Sequence, residues 1–282
     1  MKLIYSPRCL SYHQPGHPES PERVRTTFEL LGDRIDVVPP SEATVEDLER
    51  VHSVALIEQV RSGGFFDPDT PVFPGIFSLA CLSAGAAVRA AELALGEDVT
   101  MSLSLMRPPG HHATRDQLGG FCYFNNIAVA TAWALTKVGL VAIVDFDCHH
   151  GNGTQDIFLG NERVLFVSLH QNPQYPGTGL VSEQNCRNYP LPPGTDGVTY
   201  LNSFSQALDE VRVFAPDMVA VSAGFDAYEN DPITDMGLSR DTFEQIGRMI
   251  AALGVPRFAV LEGGYAADLA HCVERFLVGF DD

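Results

Sequence analysis

Basic residues are scarce in this sequence of 282 residues. Lysine and arginine together number 18, against 36 aspartate and glutamate residues, so the formal net charge is −18 at pH 7. Nucleic-acid binding depends on basic patches that neutralise phosphates, so this charge argues against a nucleic-acid partner. An acidic surface favours cationic ligands through long-range attraction, although it serves solubility equally well.

Membrane and export features are missing as well. No apolar run reaches the ~20 residues of a membrane-spanning helix. Segment 1–10 has no apolar signal core and no small-residue cleavage site. The six cysteines form no CxxC pair and have no disulfide-like spacing. These features predict a cytoplasmic protein with reduced thiols and no membrane partner, and they leave the oligomeric state open.

The chain has no internal repeat or low-complexity tract, and apolar β-rich runs alternate with helical patterns. This alternation predicts an α/β fold with a mostly parallel sheet that helices cover on both faces. The predicted strands are 3–6, 100–106, 140–146, 163–169, 218–224 and 257–263. The predicted helices are 21–31, 44–61, 77–96, 124–137, 154–159, 198–214 and 239–253. We expect residues 1–282 to form one domain, since α/β folds of this length are often single.

The last five predicted strands each lead into polar side chains. The stretches that follow or end them are "RPPGHH", "DFDCHHGNG", "SLHQ", "SAGFDA" and "LEGGY". In open α/β sheets, ligands bind beyond the carboxyl ends of the strands. The five motifs therefore predict one shared site at one edge of the sheet.

The stretch "DFDCHHGNG" has the residue types of a metal site. Alternate residues of an extended segment share a face, which places Asp145, Asp147 and His149 together. Asp147 and His149 are a natural pair of ligands, and Asp226 of "SAGFDA" supplies a third. This set leaves an open position, as catalytic Zn²⁺ requires, and it also admits Fe²⁺. Asp145 is predicted to lie behind the ligands and orient a histidine. An aspartate after a strand is by itself more often a helix cap or a turn residue than a metal ligand, and the combination with His149 favours a metal site.

Two further motifs supply groups for acid–base chemistry. "RPPGHH" places His111 and His112 on a turn that its prolines stiffen and Gly110 tightens. One histidine is predicted to act as general base and the other as acid or electrostatic partner. Tyr265, which follows two glycines in "LEGGY", is a candidate for stabilising the oxyanion of amide hydrolysis. The alternatives are a pair of surface histidines and a packed loop aromatic.

Together these motifs resemble those of the histone deacetylase superfamily of zinc amidohydrolases. "HPESPERV", "DPDTPVFPG", "VSLHQNPQYPGTG" and "NYPLPPGTD" also occur in the family's order with about its spacing. The resemblance implies a single-domain arginase-like or deacetylase-like fold with a central parallel sheet of about eight strands. It implies an enzyme that removes acetyl or other short acyl groups from acyl-lysine, in a peptide or protein, or from related acylated alkylamines. An acetylpolyamine amidohydrolase is the alternative.

The resemblance also assigns catalytic roles. Asp147, His149 and Asp226 match the zinc ligands, and Tyr265 matches the oxyanion tyrosine.

The tandem catalytic histidines of the family correspond to His111 and His112. The resemblance implies that Asp145 supports His111 and Asn152 supports His112. Because an asparagine does not stabilise an imidazolium as a carboxylate does, His112 should stay nearer neutral. This suits His112 to act as general base and later as the acid for the leaving amine.

Five further positions match the substrate pocket of the family. Phe121, with Gly120 before it, and Tyr175 match the aromatic walls of the acyl-lysine tunnel. Asp69 matches a rim aspartate that holds the backbone of a substrate. Ile233 stands where polyamine deacetylases of the class IIb type carry a gatekeeping glutamate, which disfavours strict polyamine specificity.

Two inner features complete the resemblance. Arg23 matches the arginine of an internal cavity beneath the metal. A structural K⁺ is implied at Asp145, Asp147, His149, Ser168 and Leu169.

Two other classes of protein stay open. A binuclear manganese ureohydrolase shares the implied fold, but its "DxHxD" pattern is absent from this sequence. A non-catalytic acyl-amine binding module is disfavoured because every required position is filled.

Overall fold

Parallel strands form one central sheet in the computed structural model, which describes residues 1–96 and 101–282. Eight strands lie within these residues: β1 (Lys2–Ile4), β2 (Asp36–Val38), β3 (Met101–Ser104), β4 (Val141–Asp145), β5 (Val164–Gln171), β6 (Cys186–Leu191), β7 (Met218–Ala223) and β8 (Arg257–Leu261). Their order is β2-β1-β3-β8-β7-β4-β5-β6, and each neighbouring pair is parallel. The predicted α/β fold and the sheet of about eight strands are confirmed.

Helices connect the strands and cover the sheet. In the described residues they are α1 (Pro21–Leu31), α2 (Val45–Glu49), α3 (Val54–Ser62), α4 (Ile76–Ala94), α5 (Asn126–Ala134), α6 (Asn152–Phe158), α7 (Gly197–Phe214), α8 (Arg240–Ala251) and α9 (Leu269–Phe280), with a 3-10 turn at Pro7–Leu10. Helix α4 packs against α5, and α8 packs against α9. That 1–282 is a single domain stays a prediction.

Several sequence-based boundaries need correction. The helix predicted over 44–61 is two helices, because Thr44 caps the first and Ser53 begins a second at its own cap. Strands β2 and β6 and helix α9 were not predicted. The predicted strand 100–106 corresponds to β3, and position 100 lies outside the described residues.

Helix α4 is long and apolar enough, by length and composition, to cross a membrane. In the fold, 67% of its most apolar 18-residue window is buried inside the protein. Most of this apolar window therefore packs against the rest of the protein. Absence of a membrane partner remains a prediction.

The sheet order explains how distant motifs come together. Strands β3, β8, β7 and β4 are neighbours, and these four precede "RPPGHH", "LEGGY", "SAGFDA" and "DFDCHHGNG". Their carboxyl ends lie level, since Asp145 pairs with Ser222 and Ser222 pairs with Val260. All residues of the four strands are buried. The polar groups that follow these four strands therefore lie together beyond the carboxyl ends of the strands.

Candidate active site

Three buried side chains meet beyond the ends of β4 and β7. Nδ1 of His149 lies 3.1 Å from Oδ1 of Asp147 and 2.9 Å from Oδ2 of Asp226. The other oxygen of each carboxylate accepts a backbone N–H, from Gly263 to Asp147 and from Cys148 to Asp226, each at 2.7 Å. The backbone thus fixes both carboxylates with one oxygen of each facing the imidazole.

This donor set fits a divalent cation. One ligand atom from each of Asp147, His149 and Asp226 lies within 4.8 Å of the other two. Oxygen and imidazole donors suit Zn²⁺ and Fe²⁺, and three protein ligands leave a coordination position open.

Two glycines keep space around the carboxylates. A Cβ atom at Gly224 would lie 2.1 Å from Oδ2 of Asp147, and one at Gly263 would lie 2.2 Å from Oδ2 of Asp226. Side chains at these positions would push the carboxylates out of place. The glycines after β7 and β8 therefore belong to the same site.

The charge of His149 reflects its two neighbours. Burial alone would lower its pKa, but the carboxylates of Asp226 and Asp147 outweigh burial and raise the pKa of His149 to about 10. A proton on this imidazole offsets the two buried carboxylates. A metal must bind a deprotonated nitrogen, so a cation at the three donors would displace this proton.

His111 and His112 stand side by side next to this cluster, with ring centroids 4.0 Å apart. Nδ1 of His111 lies 3.0 Å from Oδ2 of Asp145, and Nδ1 of His112 lies 2.7 Å from Oδ1 of Asn152. An amide oxygen only accepts hydrogen bonds, so Nδ1 of His112 donates and its Nε2 keeps a lone pair.

The two histidines differ in charge although both are buried. For His111, the carboxylates of Asp145 and Asp147 outweigh burial and raise the pKa to about 10. For His112, burial and then the positive charges of His111 and His149 hold the pKa well below its ordinary value. The pair therefore offers one cation and one neutral proton acceptor.

Tyr265 lines the same cavity as the histidine pair. The guanidinium of Arg23 lies 4.7 Å from the centre of its ring and donates to the carbonyl oxygens of Glu262 and Gly264, at 2.5 and 2.6 Å. Burial raises the pKa of Tyr265 far more than Arg23 lowers it, so the phenol stays protonated. Arg23 thus supports the loop and ring of this tyrosine.

His111, His112, His149 and Tyr265 line one cavity of about 210 Å³. All five residues predicted for the substrate pocket line it: Asp69, Gly120, Phe121, Tyr175 and Ile233. The ring of Tyr175 lies 5.0 Å from that of His112, and the ring of Phe121 lies 5.8 Å from that of Tyr265. The cavity thus has aromatic walls above a polar floor.

Gly120 is required by this packing. Its φ is +56°, and a Cβ atom there would lie 2.6 Å from the ring of His112. Any larger residue would be strained and would displace the histidine.

A comparison with known families decides what kind of protein carries this site. The model of the histone deacetylase domain matches residues 17–279. The chain belongs to the histone deacetylase family.

Its relatives share both sequence and structure. A probable deacetylase of Archaeoglobus fulgidus is 38% identical over 293 residues, covering 94% of this chain and 81% of that protein. Acetylpolyamine amidohydrolase 2 of Pseudomonas aeruginosa is 39% identical over 216 residues, covering 72% and 62%. The crystal structure of acetylpolyamine aminohydrolase from Burkholderia pseudomallei superimposes with a TM-score of 0.92 at 28% identity, covering 99% and 98%. This histone deacetylase family member is therefore an amide-hydrolysing deacetylase.

The predicted K⁺ positions are adjacent in the fold of this deacetylase. Asp145 of β4 pairs with Ser168 of β5, and Leu169 follows on the same strand. All five predicted residues, including Asp147 and His149, are buried. The hydroxyl of Ser168 lies 2.9 Å from Nδ1 of His170. That K⁺ binds here stays a prediction.

The fifth polar strand end lies apart from the cavity. His170, near the carboxyl end of β5, contacts the carbonyl oxygen of Gly179 at 3.0 Å, and its ring lies 4.7 Å from that of His150. His150 contacts Thr178 at 2.8 Å. Both histidines therefore support the loop that carries Tyr175 and do not line the deacetylase cavity.

Sequence reasoning missed one buried carboxylate of this deacetylase. Oε2 of Glu262 accepts the backbone N–H groups of Gly110 and His111, at 2.7 and 3.2 Å. Burial raises the pKa of Glu262 to about 7. A glutamate at the end of an apolar strand was the signal that could have revealed it. Glu262 holds the turn that presents the histidine pair.

Proposed function

We propose that this protein is a zinc-dependent deacetylase that removes acetyl or another short acyl group from a primary amine on an alkyl chain, with acyl-lysine as the main substrate. One observation carries the proposal. His149 of the metal-ligand triad lines one cavity together with the neutral His112, the charged His111 and the protonated Tyr265, and aromatic rings form the walls of this cavity. Fe²⁺ is the alternative metal for the same donors.

The cavity walls hold the substrate. Phe121 and Tyr175 flank an alkyl chain while the acyl end enters and the rest of the substrate stays outside. Asp147, His149 and Asp226 hold the metal. Bound there, the cation supplies Lewis acidity, polarising the amide carbonyl and lowering the pKa of a water molecule.

The chain's own groups then move the proton and stabilise the charge. His112 accepts the proton of the attacking water at Nε2 and later delivers it to the departing amine. His111, charged beside Asp145, stabilises the negative charge that develops nearby. The hydroxyl of Tyr265 donates a hydrogen bond to the oxyanion.

Two further parts of the proposal concern the surroundings of the site. A structural K⁺ at Asp145, Asp147, His149, Ser168 and Leu169 is supported by their burial and adjacency in β4 and β5. A cytoplasmic location is supported by the cysteines, six of which are free and buried among the described residues.

Metal stoichiometry is the first test. We expect one zinc or iron per chain after reconstitution and dialysis, and loss of acetate release after chelation. Metal analysis by mass spectrometry measures the first, and an acetate assay measures the second. Two manganese ions per chain would instead support a binuclear ureohydrolase. One metal per chain without release of any acyl group would support a binding module.

An acetylpolyamine is the second candidate substrate. Asp69 lines the cavity. Asp67 lies close by, because a Cβ atom at Gly119, the residue before Gly120 of the lining, would be 3.6 Å from the carboxylate of Asp67. A carboxylate on the cavity lining suits a substrate with a distal ammonium group. Two similar proteins, one related in sequence and one in structure, are named acetylpolyamine amidohydrolases or aminohydrolases. The uncharged Ile233 on the lining opposes strict selection of this kind.

Substitution Ile233→Glu tests this part of the lining. We expect kcat/KM for acetylputrescine to rise two- to fivefold relative to neutral N-butylacetamide, since a partly exposed ion pair contributes about 0–1 kcal/mol. Paired kinetic assays measure the ratio, with Ile233→Gln as the uncharged control. An equal change for both substrates would show that Ile233 does not face the distal amine.

A further inference from the structure

One buried carboxylate joins two walls of the cavity. Oδ2 of Asp231 accepts the backbone N–H of Tyr265 at 2.7 Å, and Oδ1 accepts the backbone N–H of Ile233 at 3.1 Å. Tyr265 follows β8, whereas Ile233 belongs to the segment after β7. Asp231 does not line the cavity, although both of its partners do. It is 8% exposed.

The loop before Tyr265 needs such an anchor. Gly263 and Gly264 precede the tyrosine, and Gly264 has a φ of +111°, a conformation that other residues rarely adopt. Glycines in this position leave the backbone free to rotate unless other contacts hold it. Arg23 binds the carbonyl side of the loop, and Asp231 binds its first N–H after the glycines.

The position of the Tyr265 hydroxyl decides whether it can stabilise the oxyanion. An oxyanion donor acts at about 2.7–3.1 Å from the developing charge. A misplacement of about 1 Å is enough to cost about 10²-fold in rate. A contact that fixes the backbone of Tyr265 relative to the cavity wall at Ile233 therefore affects kcat.

We propose that Asp231 is a positioning residue that fixes Tyr265 relative to the substrate wall at Ile233. This inference rests on the proposed function, because Tyr265 matters for the rate only if it is the oxyanion donor. Asp231 acts through the tyrosine and does not touch the reacting atoms.

A carboxylate suits this task better than an amide. Each of its oxygens accepts one of the two N–H groups, whereas asparagine would turn an NH₂ group toward one of them. The Asp231→Asn variant thus keeps the size of the side chain and loses one of two hydrogen bonds. We expect kcat to fall about tenfold or more, in line with a hydrogen bond to a charged group.

A double-mutant cycle separates positioning from general damage. The variants are D231N, Y265F and D231N/Y265F. Burial and then the Asp226 carboxylate raise the pKa of Asp231 to about 7, so the assays are run above this pH. We expect D231N to lower kcat about tenfold in the wild-type background and less than about twofold in the Y265F background. An equal loss in both backgrounds, or an unchanged kcat in D231N, overturns the proposal.

Asp217→Asn is the matched control. Oδ2 of Asp217 also accepts two backbone N–H groups, from Gly139 and Leu140, each at 2.8 Å. It directly precedes β7, at the amino end of this strand, whereas the cavity lies beyond the carboxyl ends of the strands. We expect kcat and metal content to be unchanged in this variant, with any loss confined to thermal stability.

Amide hydrogen exchange tests the anchor independently of activity. We expect faster exchange at the backbone N–H of Tyr265 in D231N, and no change there in D217N. Unchanged exchange in D231N overturns the proposal even if the enzyme has no measurable substrate. An inactive wild-type protein with faster exchange in D231N would instead locate the failure in the proposed function.

Discussion

Replacement of Tyr265 by phenylalanine is expected to lower kcat about 10²–10³-fold, the usual cost of removing one oxyanion donor. Phenylalanine keeps the ring that packs on Arg23 and Phe121 and removes only the hydroxyl. In the proposed mechanism the hydroxyl acts on charge that develops in the transition state, so we expect KM to change little. Steady-state kinetics of the zinc-loaded variant measure both parameters.

Phe121→Leu is a suitable companion to this variant. Phe121 lines the cavity without offering a hydrogen-bond donor, so its loss should raise KM more than it lowers kcat. A Tyr265→Phe enzyme with the kcat of the wild type would remove the tyrosine from the mechanism. Metal content must be equal in all three proteins for the comparison to hold.

Replacement of Asp226 by alanine is expected to have an even larger effect. In the proposed site, Asp226 would offer a donor oxygen to the cation, and its Oδ2 lies 2.9 Å from Nδ1 of His149. Without it, two ligands remain, and the Lewis-acid contribution of several kcal/mol is lost. We expect bound zinc to fall below one per chain and kcat/KM to fall at least about 10³-fold.

Metal analysis and kinetics on the same sample test this expectation. The Asp217→Asn variant is again the control, because Asp217 lies away from the site. We expect this variant to bind one metal per chain and to keep full activity. An Asp226→Ala protein that binds one zinc and keeps its activity would contradict the assignment of the triad.

The floor of the site could be predicted because its signals are local. "DFDCHHGNG" places donors on one face by simple alternation, and buried strands just before such groups point to the carboxyl edge of a parallel sheet. The resemblance to the family added Asn152 and the pocket walls, and the structure brings these residues into one cavity region.

The strands at the two edges of the sheet, β2 and β6, could not be predicted from the sequence in the same way. Strand β2 has three residues and is largely exposed, so it carries no apolar run. Strand β6 lies at the other edge and contains Pro190, which edge strands tolerate. Helix α9 differs, because its buried positions, such as Leu269, Val273 and Phe276, recur at helical spacing. The sequence carried that signal.

The contacts of the supporting carboxylates could not be predicted from the sequence for another reason. Glu262 and Asp231 accept backbone N–H groups of Gly110, His111, Tyr265 and Ile233. Every residue except proline offers such a group, so these contacts leave no complementary side chain in the sequence. Only the fold shows which distant backbone segment each carboxylate holds.

The most direct test of the account is acetate release by the zinc-reconstituted protein from an acetyl-lysine peptide and from acetylputrescine, measured side by side as kcat/KM. We predict release that chelation abolishes and one equivalent of zinc restores, with the peptide preferred because acyl-lysine is the proposed main substrate. Preference for acetylputrescine would shift the substrate to polyamines and leave the mechanism intact. No release from either substrate or from longer acyl analogues, with one zinc bound per chain, would contradict the account.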